Sequence, residues 1–119
     1  MTWDVLISEE YAEWFEKLPQ KDKAAIAADL EVLRHFGPQL GRPYVDQIKG
    51  SEFSNMKELR TKTTSCVYRS LFAFDPTRKA VILCGANKKG KGQEKFYSRL
   101  IAEAERIFKR HLEEIRRQS

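Results

Sequence analysis

The chain has 119 residues, of which 41% are hydrophobic and 33% charged, and a formal net charge of +5. That length suits one compact core, and the mix of apolar and ionised residues is that of a folded globular protein rather than a disordered, fibrous or membrane chain. No run reaches the roughly 18 apolar residues a bilayer span needs, and Met1-Thr2-Trp3-Asp4 lacks the basic and apolar regions of a leader, so the expectation is a single domain, residues 1–119, in the cytoplasm.

Trp3 to Ile7 is a short apolar run that reads as a strand, and Ser8-Glu9-Glu10 supplies a capping serine and two acids suited to a helix start. In that helix Tyr11, Trp14, Phe15 and Leu18 form one apolar stripe, closed by Pro19. A second helix from about Lys21 carries Ile26, Leu30, Leu33 and Phe36 on one face and ends at Gly37-Pro38. The short link makes the two helices neighbours. Residues 38–55, with Gly41, Pro43, Gly50 and Ser51, read as an ordered surface loop.

From Met56 the apolar period becomes two. Met56 to Lys62, Val67 to Phe74 and Ala80 to Ala86 read as three strands of an antiparallel meander, linked by turns at Thr63-Thr64-Ser65 and Asp75-Pro76-Thr77-Arg78. Asn87-Lys88-Lys89-Gly90-Lys91-Gly92 reads as a basic loop. The helical period then returns from about Gln93, with Phe96, Leu100, Ala104, Ile107, Phe108, Leu112 and Ile115 on the apolar face of a long final helix. The expected fold is α+β: a small antiparallel sheet, made of an N-terminal strand and the meander, with two N-terminal helices and a long C-terminal helix packed on one face.

Charge is unevenly spread. Residues 1–56 hold 6 Lys/Arg against 10 Asp/Glu, whereas residues 57–95 hold 10 against 3, a footprint suited to meeting phosphate. Cys66 and Cys84 lie in apolar strand-like runs as reduced thiols without metal-ligand spacing. His35 and His111 sit in separate helices, and no nucleophile elbow or phosphate loop is present, so no metal or cofactor is expected. What remains is Lys57, Glu58, Arg60, Arg69, Lys88, Lys89 and Tyr97. Alternation puts Met56, Glu58 and Arg60 on one face and Lys57 and Leu59 on the other. Leu59 faces the core, so Glu58 and Arg60 are expected on an open side of the sheet. Arg69, inside an apolar run, needs either an ion-pair partner such as Glu58 or Asp75, or a purpose.

The ordered set Leu40-Gly41-Arg42-Pro43, Lys49-Gly50-Ser51, Asn55-Met56-Lys57-Glu58-Leu59-Arg60, Tyr68 to Pro76, and Phe96-Tyr97 with Ile101, Ala104 and His111-Leu112 resembles the phage-derived, HigB-like branch of the RelE/ParE toxin superfamily. The resemblance spans nearly the whole chain and implies the same α+β fold. It further implies metal-independent endoribonucleolytic cleavage of mRNA, commonly on the ribosome, with a co-encoded antitoxin as partner, of helix-turn-helix type. By position it implies catalytic roles for Arg60, Arg69, Glu58, Tyr97 and Lys88, and RNA contacts for Lys57, Lys62, Lys89, Lys91 and Lys95. Gly85-Ala86-Asn87-Lys88 departs from the Gly-Gly-Asp-Lys expected there. That departure keeps two alternatives open: a catalytically inactive RNA- or protein-binding module of the same fold, and a ParE-like poison of gyrase.

Overall fold

The computed structural model describes residues 2–64, 66–87 and 93–118. In chain order the elements are β1 (Asp4–Ile7), α1 (Glu9–Glu16), α2 (Gln20–Phe36), β2 (Val45–Gln47), β3 (Lys57–Lys62), β4 (Val67–Phe74), β5 (Lys79–Asn87) and α3 (Gln93–Gln118). The strands form one sheet in the order β1-β5-β4-β3-β2. The expected meander is present as β3, β4 and β5, each pair antiparallel.

Three features differ from the sequence expectation. β1 joins β5 in parallel, Asp4 opposite Lys79 and Ile7 opposite Ile82, so the sheet is mixed rather than antiparallel throughout. Inside the stretch read as loop, Val45–Gln47 adds a fifth strand antiparallel to β3. Helices cover both faces, because β4 and β5 bury apolar side chains on both sides. On one face Tyr11, Leu33, Val45, Leu59, Phe72 and Ile82 form a core with Trp14, Phe15 and Leu30 of α1 and α2. On the other, Met56, Leu71, Val81, Leu83, Ala104, Ile107 and Phe108 form a second core under α3. Each large side chain so buried contributes about 1.5–3 kcal/mol.

Local chemistry sets the element ends. Ser8 caps α1 by accepting the Tyr11 N–H at 3.0 Å, while its own hydroxyl donates to the Leu83 carbonyl at 2.7 Å and so pins the helix start to β5. α2 stops at Gly37, whose φ of +62° favours glycine and where a Cβ would lie 2.3 Å from the Trp3 ring. Phe36, expected on the buried stripe, is instead exposed and packs edge-on against His35 at the helix end. Tyr68 donates to Asp22 at 2.5 Å, tying β4 to the first turn of α2.

A bulge in the β4–β5 pairing matters for the site. Leu71 lies opposite Cys84 but Phe72 lies opposite Ile82, so the intervening Leu83 is extra and both Leu83 and Cys84 enter the α3 core. Beyond the bulge the alternation is reset: Ala86 comes opposite Arg69, and Gly85 turns toward Trp14, whose ring lies 2.4 Å from where a Cβ would stand. Neither Cys66 nor Cys84 is in a disulfide, and burial pushes the Cys84 thiol up to about 12, which leaves it an inert core group.

Among the polar ties that hold α3 in place, two reach from its middle to α1 and to the β4–β5 turn. Arg110 forks onto both carboxylate oxygens of Glu10 at 2.7 and 2.8 Å, joining α3 to α1. These bonds hold the Glu10 carboxyl down at about 2. At the β4–β5 turn, Asp75 accepts from the Thr77 N–H, the Thr77 hydroxyl and the Lys79 N–H, each at 2.9 Å, and pairs with His111 of α3 at 2.7 Å. Burial opposes the Asp75 charge, but the His111 and turn hydrogen bonds outweigh it and lower its carboxyl below the ordinary range. A carboxyl lowered by folding stabilises fully above the unfolded value of about 4 and loses that contribution as pH falls through the native value. Denaturant midpoints are therefore expected to drop between pH 5 and pH 2, and less steeply in Asp75→Asn; equal slopes in the two proteins exclude this tie as an acid-sensitive element.

Candidate active site

The α3-facing side of the sheet carries a row of charge at its β2 end. Arg60 of β3 and Arg69 of β4 are direct cross-strand partners, an arrangement that places like charges on opposed positions and repels unless something offsets it. Glu58 supplies the offset. Two positions before Arg60 and hence on the same face, it accepts from Arg60 Nε at 3.0 Å and lies 3.5 Å from Arg69 Nε. That second contact is ionic only, because the Arg69 Nε–H makes no hydrogen bond. From the start of α3, Tyr97 donates its hydroxyl to Glu58 Oε1 at 3.0 Å and offers its ring to the Arg69 guanidinium, centroid to Cζ 5.6 Å.

Glu58 is therefore not on an open side of the sheet, as alternation alone suggested. Its side chain is 5% exposed, beneath Arg60 and Arg69, because α3 closes the face that was expected to be bare. Burial, then the Glu58 charge, pushes the Tyr97 phenol up, so it keeps its proton and remains a donor at neutral pH. The Arg69 side chain is 13% exposed and that of Arg60 39%, so Arg60 reaches furthest into solvent. Arg60 also approaches Asp46 of β2 at 3.9 Å, and Asp46 in turn holds Arg42 at 3.1 Å.

Alongside runs a groove of about 710 Å³ lined by Asp29, Arg42, Pro43, Tyr44, Arg60, Lys62, Val67 and Arg69. Its lining has four cations and one carboxylate, and with Asp46 and Glu58 paired to three of those cations from beside it the balance still leaves the surface net positive, as suits a polyanion. Such an array can hold a phosphate in two planar forks while a carboxylate and a phenol stand within hydrogen-bonding reach.

Of the residues singled out from the sequence, the fold brings Arg60, Arg69, Glu58 and Tyr97 into one cluster and puts Lys62 on the groove beside it. Lys57 is not brought there: it points to the α1/α2 face, with its ammonium over the Phe74 ring at 5.6 Å, since its pleat is opposite to that of Glu58. Lys95 is exposed on the first turn of α3 and does not line the groove. Lys88, Lys89 and Lys91 lie outside the described residues. Asn87, where the resemblance leads one to expect aspartate, lies opposite Tyr68 and so on the face away from Arg69. Sequence reasoning did not single out Tyr44 or Asp46, and met Arg42 only inside a family motif. A three-residue strand is too short to show a period. Among the described residues no group of three His, Cys, Asp or Glu could hold a metal ion, and no helix is long and apolar enough to cross a membrane.

The model of the family described as phage derived protein Gp49-like (DUF891) matches residues 13–109. Among curated proteins, HigB3 of Mycobacterium tuberculosis, named as a toxin, is 43% identical over 86 residues, covering 72% of this chain and 74% of its own length. HigB2 of the same organism, also named as a toxin, is 39% identical over 105 residues, covering 87% of this chain but only 52% of its own length. Among solved structures, a doubly substituted E. coli toxin RelE in the free state superposes with a TM-score of 0.60 at 14% identity, covering 89% of this chain and 97% of that one. The toxin-antitoxin complex RelBE2 of M. tuberculosis gives 0.57 at 19% identity, covering 74% of this chain and 100% of that one. At those identities the structures speak for the fold alone, which is that of RelE, while the family model and the two relatives speak for descent: the chain belongs to the phage-derived Gp49-like family, with the HigB toxins as its relatives.

Proposed function

We propose that this toxin is a metal-independent endoribonuclease of the cytoplasm that cleaves messenger RNA, with the ribosome as its working platform, and that a co-encoded helix-turn-helix antitoxin neutralises it. The observation that supports this reading is the meeting of two guanidiniums, a carboxylate and a protonated phenol at the edge of a cation-lined groove.

RNA carries its own nucleophile, so an enzyme need only align the 2′-hydroxyl, take its proton, stabilise the extra charge on phosphorus and protonate the leaving 5′-oxygen. In this reading Arg60 and Arg69 hold the non-bridging oxygens of the scissile phosphate. When they turn to the phosphate, Glu58 loses the donors that engage it and accepts the 2′-hydroxyl proton. The new P–O2′ bond forms as the P–O5′ bond breaks, leaving a 2′,3′-cyclic phosphate and a 5′-hydroxyl. Tyr97 orients Glu58 through its 3.0 Å hydrogen bond. Lys88 or Lys89 enters as the acid on sequence position alone, and Lys62, Lys89, Lys91 and Lys95 as phosphate contacts. Because the RNA-facing groove is positive, an antitoxin segment that blocks it is expected to be acidic.

The test is incubation of the purified protein with single-stranded RNA in excess EDTA, followed by end-group analysis. Fragments with 5′-hydroxyl ends are the expected result. Binding without cleavage would favour the inactive module, which the Ala86-Asn87 departure keeps in view. Inhibition of gyrase with no effect on RNA would favour the ParE-like poison.

A further inference from the structure

We infer that Tyr44 is a stacking platform for an unpaired base next to the phosphate held by Arg60 and Arg69, with Arg42 and Lys62 as flanking phosphate contacts; this rests on the ribonuclease reading above and extends its site along the groove.

The inference begins with backbone register. Val45 pairs with Leu59, and the Arg60 N–H donates to the Tyr44 carbonyl at 2.8 Å, so Tyr44 stands beside Arg60 where the β2–β3 ladder continues. Its own N–H donates to the Gly41 carbonyl at 3.1 Å, which fixes the backbone on the other side. Val45 and Leu59 both belong to the α1/α2 core, so the pleat turns Tyr44 and Arg60 the opposite way, toward the groove that both line. Read across the sheet, the row runs Tyr44, Arg60, Arg69, with Tyr97 over its far end.

Two guanidiniums bracketed by two tyrosines match what a single nucleic-acid strand offers, a phosphate with a base on each side. Tyr44 is 38% exposed and lines the groove, an aromatic surface that core packing does not explain. The grooves beside exposed Leu6 and Ile7 mix acids with bases, including Glu9, Glu114, Asp4 and Glu31, whereas the lining of the Tyr44 groove holds four cations and one acid, Asp29, with Asp46 and Glu58 pairing to Arg42, Arg60 and Arg69 from beside it. Duplex RNA hides its base faces, so the platform selects single strands.

The probe is a short fluorescein-labelled 2′-O-methyl oligonucleotide, which lacks the attacking hydroxyl and cannot be cleaved by this route. Its dissociation constant from Tyr44→Ala is expected to rise about five- to a hundredfold, the range for loss of one stacked base. Tyr44→Trp and Tyr44→Phe should restore binding, and Tyr44→Leu, apolar but not aromatic, should not. If Tyr44→Ala does not fold, the comparison of Leu with Phe carries the same decision. Wild-type binding by folded Tyr44→Leu overturns the platform. The outcome separates from that of the ribonuclease reading. Cleavage by the native protein with unaltered binding by Tyr44→Leu sinks the platform alone. Aromatic-dependent binding by a native protein that never cleaves RNA sinks the nuclease alone.

Discussion

Arg69→Ala is expected to lower RNA cleavage by roughly 10²–10³-fold, the cost of removing one preorganised group from a developing oxyanion, and to leave the fold standing. Arg69 is the more deeply set of the two guanidiniums, and its Nε–H makes no hydrogen bond in the free protein. The residue also lines the cationic groove, where its guanidinium fork can turn from Glu58 to a bound phosphate. The fold should survive because Glu58 keeps its bonds from Arg60 and Tyr97 when Arg69 is gone. Arg69→Lys preserves charge but not the planar fork, and most of the loss should remain. Cleavage of single-stranded RNA in EDTA reads the rate, and circular dichroism checks the fold. An alanine variant cleaving within tenfold of the native protein removes Arg69 from the mechanism.

Glu58→Ala is expected to produce the largest loss of stability among single changes at the site, toward the lower end of the roughly 3–5 kcal/mol for breaking a buried ion pair from one side. Its removal leaves Arg60 and Arg69 opposed with no carboxylate between them, and the Tyr97 hydroxyl without its acceptor. Arg60, 39% exposed, can swing into water and recover part of the cost, which is why the lower end applies. Adding Arg69→Ala to Glu58→Ala should relieve part of the damage, so the double variant should lose less than the two single losses combined. Urea unfolding midpoints measure all three proteins. A Glu58→Ala loss below about 1 kcal/mol, the level of an exposed surface pair, contradicts the buried network.

The two effects are linked, since one carboxylate holds both guanidiniums in register and, in the proposed mechanism, gives them up to the substrate phosphate. The catalytic part of that exchange is the proposal, and the geometry that permits it is a property of β3 and β4. Strand alternation was enough to place Glu58 with Arg60, and the charge in the apolar run of β4 was enough to mark Arg69. Tyr97 belongs to the polar set that remains once metal and triad chemistry are set aside, and its role comes from the resemblance. Alternation could not show that α3 roofs this face, because Leu71 to Ala73 and Ala80 to Cys84 are apolar at every position and so favour neither side of the sheet. Nor could it reveal the bulge, which depends on β4–β5 pairing and puts Ala86 rather than Gly85 opposite Arg69. β2 was hidden for a different reason: of its three residues only Val45 is buried, and its existence depends on the β3 edge rather than on its own sequence. Phe36 completed the helical stripe in sequence, yet it stands in the last position of α2 and remains exposed.

The parallel pairing of β1 with β5 sets a timetable for the newborn chain. β1 leaves the ribosome ahead of β5 and cannot be paired until that partner emerges; the Ser8 hydroxyl, for instance, waits for a carbonyl 75 positions downstream. At roughly 5–20 residues per second, that interval is on the order of 4 to 15 seconds. During it, Val5, Leu6 and Ile7 travel without the edge they are shaped to join, and anything that lengthens the pause extends the time in which a foreign strand can take that place.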